Sequence, residues 1–388
     1  MSPTPEFLAP SPPRATVPPD LTYTSWARRA IAEMATRDGE SFSLFESSVP
    51  EPEELLAATI AAAFAPGIPT RYTSAFLSGN PYVVRELQKH YGVDAASILC
   101  TTGASGAMSL VYRALLRPGD RILVENPAFD LFAELAGAQG IAVDRFERRD
   151  GDFALDPAAV AAAMRPRTRL IVCTNLHNPS GAIAGADVLR EVGTIARARD
   201  ALVVVDEVYG DYAGDALVPA ATLGAEFLSI SSLTKNYGLS TLRCGWVVGH
   251  PGIVARVREV SDELEFGVSK LGHAVAAHVL EEPARWQRYW QDMLDAARPI
   301  MQHYHSGWAR AGLIEGALPR HGCITFPRLV GIDDTKAFSD TLAREQAVYV
   351  APGEYFGRAG HVRIGFAQPA ARLRQALERL DHALRQRS

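Results

Sequence analysis

The sequence predicts an α/β protein in which helices flank a mostly parallel sheet, followed by a smaller α+β unit. Short apolar runs alternate with helical patterns between residues 97 and 249, and this alternation is typical of a parallel sheet with crossover helices. Beyond residue 312, short strands are mixed with a closing helix instead. A chain of 388 residues is long enough for one large and one smaller domain.

The predicted elements follow from apolar and helical periodicity. Strands of the large sheet are predicted at residues 98–101, 121–125, 141–146, 170–174, 202–206, 227–231 and 244–249. Helices are predicted at 25–34, 52–64, 107–116, 157–164 and 188–198, and long helices over 275–312. The C-terminal unit is predicted to contain strands at 324–326, 347–350 and 362–366 and a helix at 369–385.

Composition and charge argue against several classes of function. The formal net charge is −5 and no Lys/Arg-rich patch occurs, so nucleic acid is not an expected partner. The chain has no apolar stretch long enough for a membrane span, and its N-terminus lacks the pattern of a secretory signal. We therefore expect a cytoplasmic protein. Its widely spaced cysteines predict free thiols rather than disulfides or a metal site; they are Cys100, Cys173, Cys244 and Cys323.

A glycine-rich turn joins a predicted strand to a predicted helix at Gly103, Ala104 and Ser105. The free backbone N–H groups and the positive dipole end of the helix make such a turn suitable for a phosphate. Turns of this kind are also common packing devices between a strand and a helix, so both interpretations stay open.

Charged residues follow two later strands. Asp206 ends an apolar run at the carboxyl edge of the sheet, where ligands bind in open α/β sheets. A buried carboxylate there needs a partner, and a metal, a cationic ring nitrogen or a helix cap would each satisfy it. Lys235 follows the next strand among hydroxyl and apolar residues, which suits either a desolvated amine nucleophile or a solvated loop lysine. Arg243 adds a fixed positive charge that suits a phosphate.

Two uncharged residues are candidates at the same edge. Asn178 lies in a turn, where its side chain either stabilises the turn or donates to a ligand oxygen. Phe129 follows the strand at 121–125 and is either a core residue or a ring that stacks on a flat ligand.

The order of these motifs resembles that of the class I/II aminotransferases, which are pyridoxal 5′-phosphate (PLP) enzymes of fold type I. The motifs are GASGA at 103–107, NPAF at 126–129, NLHNPSG at 175–181, DEVY at 206–209 and SLTK at 232–235, with Arg243 eight residues after the lysine. The resemblance covers residues 68–249 well and continues to about residue 367. It implies the large and small domains of fold type I, with PLP as the cofactor.

The resemblance implies a role for each residue at the cofactor. Lys235 corresponds to the lysine that holds PLP as a Schiff base and moves the proton, and Asp206 corresponds to the partner of the pyridine nitrogen. Tyr209 and Asn178 correspond to the donors to the phenolic oxygen, and Phe129 to the stacking ring. The phosphate site corresponds to Gly103, Ala104, Ser105, Ser232 and Arg243.

The resemblance also implies active sites that are shared between two chains. Arg363 corresponds to the arginine that binds the α-carboxylate of the substrate in a bidentate pair; a surface salt bridge is the alternative. Tyr72 corresponds to a tyrosine that reaches the phosphate from the neighbouring subunit, which implies a homodimer. Packing within its own subunit is the alternative for Tyr72.

Two segments depart from the family pattern. Many members carry a glycine–proline motif near the substrate, whereas residues 45–50 here read FESSVP, so Ser47 is a candidate substrate contact in an unusual pocket. Members that act on dicarboxylic substrates supply an arginine from the partner subunit, but the corresponding residues 262–266 contain three acids and no arginine. We hypothesise that an acidic substrate side chain is disfavoured and a neutral or basic one is accepted. A solvated acidic helix end is the alternative.

The predicted function is the transfer of an amino group between an L-amino acid and a 2-oxo acid. A PLP-dependent lyase, decarboxylase, cyclase or oxidase would need the same residues and is the alternative. A nicotinamide-dependent enzyme is disfavoured because no GxGxxG turn follows the first strand.

The chain is predicted to have four parts, the first from its composition and the others from the resemblance. A flexible Pro-rich arm is predicted at 1–20, which contains seven prolines. An N-terminal segment at 21–50 is predicted to join the small domain, and the large PLP-binding domain is predicted at 51–285. The small C-terminal domain is predicted at 286–388.

Overall fold

A seven-stranded mixed sheet forms the centre of the larger unit. The computed structural model describes residues 22–73, 78–265 and 267–386, so the predicted Pro-rich arm at 1–20 lies outside the described residues. The strands are β1 (Phe42–Ser43), β2 (Ile98–Thr102), β3 (Arg121–Asn126), β4 (Ala142–Glu147), β5 (Thr168–Thr174), β6 (Leu202–Asp206), β7 (Phe227–Ser232), β8 (Cys244–Gly249), β9 (Ile314–Glu315), β10 (Ile324–Thr325), β11 (Arg328–Leu329), β12 (Val348–Tyr349), β13 (Ala351–Pro352) and β14 (Val362–Gly365).

The strand order confirms the predicted fold class. Strands lie in the order β2-β8-β7-β6-β5-β3-β4. Strand β8 is antiparallel to both of its neighbours, and all other pairs are parallel. The parallel pairs bring the carboxyl ends of β3, β5, β6 and β7 to one edge, which is where ligands bind in such sheets.

Helices cover both faces of this sheet and build most of the C-terminal part. They are α1 (Tyr23–Thr36), α2 (Glu53–Phe64), α3 (Pro81–Tyr91), α4 (Gly103–Leu115), α5 (Leu131–Gly137), α6 (Pro157–Ala163), α7 (Ala186–Arg197), α8 (Pro251–Leu264), α9 (Lys270–Glu281), α10 (Pro283–Arg310), α11 (Thr335–Gln346) and α12 (Ala370–Arg385). Among the helices of the described ranges, none is both long and apolar enough to cross a bilayer.

The core has two layers because side chains alternate along the central strands. Val203 and Val205 of β6 point to one face and pack with Val160 of α6 and Val192 of α7. Val204 points to the opposite face, where α4, α5 and α8 cover the sheet. Burial on both faces explains why these strands have continuous apolar runs rather than alternating ones.

Helix α4 begins at Gly103, four residues before the predicted start. The glycine-rich residues therefore form the first helical turn and not a preceding loop. Gly103 has a φ of +74°, and a Cβ at this position would lie 2.6 Å from Nη2 of Arg243. Glycine thus lets an arginine lie across the helix N-terminus at the carboxyl edge of the sheet.

The N-terminal segment packs with the C-terminal unit. Strand β1 pairs in parallel with β12, and Phe42 of β1 is fully buried. Trp26 of α1 packs in a cluster with Phe326 and Tyr349. These contacts join α1 and β1 to C-terminal elements, and the assignment of residues 21–50 to the small domain stays a prediction.

Helix α10 passes from one unit to the other. Trp286 in its first turn packs in a cluster with α3 and β8, whereas Trp290 and Trp308 pack with the C-terminal elements. The predicted boundary at residue 285 therefore falls inside a continuous helix, and the boundaries at 50 and 285 stay predictions.

The contact between β8 and the first turn of α4 predicts a stability effect. A Cβ on Gly245 would lie 2.4 Å from the carbonyl carbon of Gly103 and 2.7 Å from the amide nitrogen of Ala104. We expect Gly245→Ala to lower the free energy of unfolding by about 1–3 kcal/mol, as overpacking does. Urea denaturation measures the change. Gly137→Ala on α5 is the control, because nothing lies within 4 Å of the position that its added methyl group would take; equal stabilities of the two variants would contradict the prediction.

Candidate active site

One cavity at the carboxyl edge of the sheet brings most of the predicted site residues together. It has a volume of about 170 Å³ and lies where β5, β6 and β7 end. The predicted residues that line it are Ser47, Ala104, Ser105, Phe129, Asn178, Asp206, Tyr209, Ser232, Lys235, Arg243 and Arg363. Gly103 and Tyr72 are the predicted residues outside this lining.

Lys235 follows β7, and its backbone is fixed from two sides. Its carbonyl oxygen accepts hydrogen bonds from the Tyr212 hydroxyl at 2.8 Å and from the Val49 amide at 3.3 Å. Its Nζ donates to Oγ of Ser47 at 3.3 Å. Desolvation, with a further contribution from the positive charge of Arg363, lowers the pKa of Lys235 to about 8. About a tenth of this amine is therefore uncharged at pH 7, far more than for an ordinary lysine, and the uncharged form is the one a nucleophile requires.

Asp206 ends β6 at the floor of the cavity. Its Oδ1 accepts the backbone N–H of Val208 at 3.1 Å. Burial raises the pKa of Asp206 to about 6, and the positive charge of Lys235 opposes part of that rise. No Arg or Lys of the described residues forms an ion pair with Asp206 within 4.0 Å. A cationic ligand group would supply the missing partner.

Tyr209 and Ser47 both line the cavity. The Tyr209 hydroxyl is buried and has no hydrogen-bond partner among the described residues. Burial raises the pKa of Tyr209, while the nearby Ser47 hydroxyl opposes part of that rise. Buried hydroxyl groups are normally hydrogen-bonded, so a ligand oxygen is the expected partner of Tyr209.

The start of α4 and Arg243 lie together and present groups suited to an anion. Ala104 and Ser105 lie in the first turn of the helix, where backbone N–H groups have no partner within the helix. Nη2 of Arg243 donates to the Thr102 carbonyl at 3.2 Å. In the part of the chain that the structure describes, no carboxylate pairs with Arg243. Helix N–H groups, an unpaired guanidinium and the Ser232 hydroxyl are the groups that bind phosphate.

Arg363 of β14 is buried, with 1% of its surface exposed. Its Nη1 donates to Oδ1 of Asn178 at 2.8 Å, and its Nη2 donates to the Tyr23 hydroxyl at 2.5 Å and the Phe45 carbonyl at 2.9 Å. The alternative of a surface salt bridge is wrong, because the side chain is buried and all three acceptors are neutral. A buried guanidinium without an acid is suited to an anionic ligand.

Comparison with known proteins decides the family. Residues 57–380 match the family model described as aminotransferase class I and II. The chain belongs to this family. It is 31% identical to a capreomycidine synthase of Streptomyces vinaceus over 74% of each chain, and 29% identical to an arginine–pyruvate transaminase of Pseudomonas aeruginosa over 74% of this chain and 75% of the relative.

Solved structures agree on the fold. The aspartate aminotransferase of Thermus thermophilus with maleate has a TM-score of 0.81 at 24% identity and covers 93% of this chain and 96% of its own. A PLP-dependent cyclase matches with the same TM-score and identity over 98% of this chain and 100% of its own. The predictions of fold type I, a PLP cofactor and aminotransferase function are confirmed.

The residues of this aminotransferase fit PLP chemically. The groups suited to a phosphate lie at the start of α4, and the partly buried carboxylate of Asp206 is available to a ring N–H. The buried Tyr209 hydroxyl is available to a ring oxygen. Phe129 lines the same cavity and contacts Phe132 edge-on, with ring centroids 6.1 Å apart.

Tyr72 of this aminotransferase lies away from its own cavity. Its side chain is 37% exposed, and Nζ of Lys270 lies 5.7 Å from its ring centroid. Residues 74–77 that follow it, and Phe266, lie outside the described residues. Of the acidic segment, Asp262 and Glu263 are exposed.

Tyr23 and Thr174 are cavity residues that the motifs do not predict. Tyr23 begins α1, and burial raises its pKa. Thr22 caps α1, because its hydroxyl oxygen accepts a hydrogen bond from the backbone N–H of Ser25 at 3.1 Å. Threonine is a favoured N-cap residue, so Thr22 is the sequence feature that could have predicted where α1 begins. No local pattern links Tyr23 to Arg363, which is 340 positions away.

Thr174 belongs to a buried network beneath the cavity. Its Oγ1 donates to Oε1 of Glu125 at 2.7 Å and accepts the Asn178 amide at 2.8 Å. Glu125 pairs with Arg148 at 2.7 Å, and both side chains are at most 1% exposed. This network fixes the backbone of Asn178, and Asn178 in turn contacts Arg363.

The raised pKa of Asp206 predicts how stability depends on pH. Between pH 3.8 and about 6 the folded protein retains a proton that the unfolded chain has lost, so this group costs stability as the pH rises. At neutral pH the cost is about 3 kcal/mol, at about 1.4 kcal/mol per pKa unit. In the cofactor-free protein, Asp206→Asn should therefore gain stability relative to wild type as the pH rises from 4 to 7.

Urea denaturation of both proteins across this pH range measures the gain. A pH-independent difference between the two proteins would contradict the desolvation of this carboxylate.

Proposed function

We propose that this aminotransferase holds PLP through Nζ of Lys235 and exchanges an amino group between an L-amino acid and a 2-oxo acid at the cavity described above. One observation carries the proposal. In the described chain, a single cavity contains an amine with a lowered pKa, a partly buried carboxylate without a basic ion-pair partner, and a buried guanidinium without an acidic ion-pair partner. These three groups meet the needs of a carbonyl cofactor, a ring nitrogen and a substrate carboxylate.

The residues divide between holding the cofactor and tuning it. The first turn of α4, Ser232 and Arg243 would bind the phosphate, and Phe129 would stack on the ring. Asp206 would keep the ring nitrogen protonated, while Tyr209 and Asn178 would donate to the phenolic oxygen. When bound, PLP accepts the electrons released when a bond at the substrate α-carbon breaks.

Lys235 would also move the proton. Its amine has a pKa of about 8, so it both accepts and releases a proton near neutral pH. Ser47 contacts the amine at 3.3 Å and would orient it toward the α-carbon. Arg363 would hold the α-carboxylate and so fix the substrate in one orientation.

We propose a basic amino acid, with arginine as the first candidate, as the amino donor and pyruvate as the acceptor. One similar protein is named an arginine–pyruvate transaminase. In the described cavity lining, the basic residues are Lys235, Arg243 and Arg363, and each has a role above. No further cation is available there for a second carboxylate, whereas the charge of Glu46 is close enough to act on Lys235.

Cyclisation is a second candidate reaction. It is favoured by the 31% identity to a capreomycidine synthase over 74% of both chains. Both reactions use the same cofactor residues, so the product after the first half of the cycle separates them.

We further propose a cytoplasmic homodimer with shared active sites. Several apolar side chains are exposed on α2, on the segment after it and at the start of α9. They are Ile60 at 39%, Ile68 at 72%, Tyr72 at 37% and Leu271 at 55% exposure. Exposed apolar groups of this kind mark protein interfaces, and a second copy seated on them would bring Tyr72 to the other cavity. The buried free thiols suit a reducing compartment.

A spectroscopic half-reaction tests the function. L-arginine alone should abolish the visible absorbance band of lysine-bound PLP, and pyruvate should restore it with formation of alanine. Lys235→Ala should lack the band. L-aspartate should react at least about tenfold more slowly because no cation is available for its side chain. Cyclisation needs a donor with a leaving group on its β-carbon, such as a β-hydroxylated arginine. From that substrate, a cyclic product and water formed without pyruvate would select the second candidate. Equal rates with L-arginine and L-aspartate would contradict the substrate proposal.

Sedimentation tests the dimer. The double variant Ile68→Glu/Leu271→Glu should dissociate to monomers, because charges would be placed in an apolar interface. Its affinity for PLP should fall about tenfold or more, because Tyr72 of a second copy would no longer reach the cavity. Ile31→Glu is the control, since Ile31 is also 55% exposed but lies on α1. An unchanged sedimentation coefficient for the double variant would place the interface elsewhere.

A further inference from the structure

Tyr23 contacts the guanidinium of Arg363 in two ways. Its hydroxyl accepts a hydrogen bond from Nη2 at 2.5 Å, and its ring lies 4.8 Å from Cζ. Phe356 lies at the same distance from Cζ. The backbone N–H of Tyr23 donates to Oδ2 of Asp130 at 2.6 Å, which holds the first residue of α1 at the cavity.

The hydrogen bonds of Arg363 leave no complete pair of donors for a carboxylate. A bidentate carboxylate binds Nη2 together with either Nη1 or Nε, so both arrangements need a hydrogen of Nη2. Nη2 has two hydrogens and two acceptors, which are the Tyr23 hydroxyl and the Phe45 carbonyl. Nε makes no hydrogen bond within the described chain. A bidentate substrate must therefore replace one acceptor of Nη2.

The Phe45 carbonyl is the acceptor that is harder to move. The backbone of the preceding residue, Leu44, makes two hydrogen bonds. Its N–H donates to the Tyr349 carbonyl at 2.8 Å, and its carbonyl accepts from the Gly365 N–H at 2.7 Å. The Tyr23 hydroxyl is at the end of a side chain that lines the cavity, and its own hydrogen bond, to the Phe45 carbonyl, is long at 3.3 Å. Rotation of this side chain disturbs no strand pairing.

We propose that the Tyr23 hydroxyl occupies the place of the substrate α-carboxylate on Arg363 in the ligand-free enzyme, and that the carboxylate replaces it. The proposal rests on the proposed function, because it takes Arg363 as the carboxylate site. The hydroxyl satisfies a buried N–H that would otherwise lack a partner. It stabilises the empty site and thereby weakens carboxylate binding.

The conservative variant Tyr23→Phe tests this role in the PLP-loaded enzyme. It keeps the ring on the guanidinium and removes the hydroxyl, so one buried N–H of the empty site loses its acceptor. We expect the KM for L-arginine to fall about tenfold, and the dissociation constant of propionate, measured by calorimetry, to fall by a similar factor. Binding of agmatine, which has the side chain and amine of arginine but no carboxylate, should be unchanged.

Tyr289→Phe is the matched control, because it removes a hydroxyl that donates to the Pro50 carbonyl at 3.1 Å and does not contact Arg363. Its ligand affinities should equal those of wild type, and thermal unfolding checks that both variants are folded. Weaker propionate binding in Tyr23→Phe would mean that the hydroxyl helps to bind the carboxylate, and unchanged binding would mean that it has no part; each result overturns the proposal.

The propionate measurement separates this inference from the proposed function. If L-arginine leaves the wild-type spectrum unchanged while propionate binds more tightly to Tyr23→Phe, the donor proposal fails and the role of Tyr23 stands. If arginine reacts as expected but the variant binds propionate like wild type, the role of Tyr23 fails alone.

Discussion

The active site depends on one buried positive charge that has no ion-pair partner in the described chain. Arg363 is held by an amide oxygen, a phenol and a backbone carbonyl, which come from the loop after β5, from α1 and from the segment after β1. A buried guanidinium is costly unless its donors are satisfied, so these three segments must meet for the charge to be tolerated. The charge therefore connects the sheet, the N-terminal segment and the C-terminal unit, and it stays available to an anion.

A second buried charge pair fixes the other side of the site by a different means. Glu125 and Arg148 neutralise each other, and their remaining hydrogen bonds go to the backbone and hydroxyl of Thr174 and to nearby carbonyl groups. Because breaking such a pair would leave an uncompensated charge, it resists small displacements. Thr174 passes this rigidity to Asn178. Lys235 and Asp206 differ, since desolvation shifts both pKa values toward neutrality and leaves them able to react.

The sequence is sufficient for the sheet and for most cofactor residues, but not for contacts between distant segments. Apolar and β-branched runs predict all seven strands of the sheet, and in central strands such as β6 these runs are continuous because both faces are buried. The edge strand β4, with the sequence AVDRFE, is only partly buried. Ordered motifs predict residues such as Asp206 and Lys235, because each follows a strand at the ligand-binding edge. Tyr23 escapes prediction because its partner is far away in sequence and α1 has no motif. The predicted start of α4 is too late because glycines normally indicate a turn, whereas here the approach of Arg243 explains Gly103.

Helix α10 has a consequence for dissecting the chain into fragments. Its first turn contributes Trp286 to the core around α3 and β8, and the following turns contribute Trp290 and Trp308 to the C-terminal core. A fragment that stops at residue 285 would lose a 1%-exposed tryptophan from its interior. The opposite fragment would begin with that tryptophan uncovered. One fragment would therefore have a cavity in its core, and the other would expose an apolar side chain. A truncated large domain would need the first turns of α10 to remain soluble.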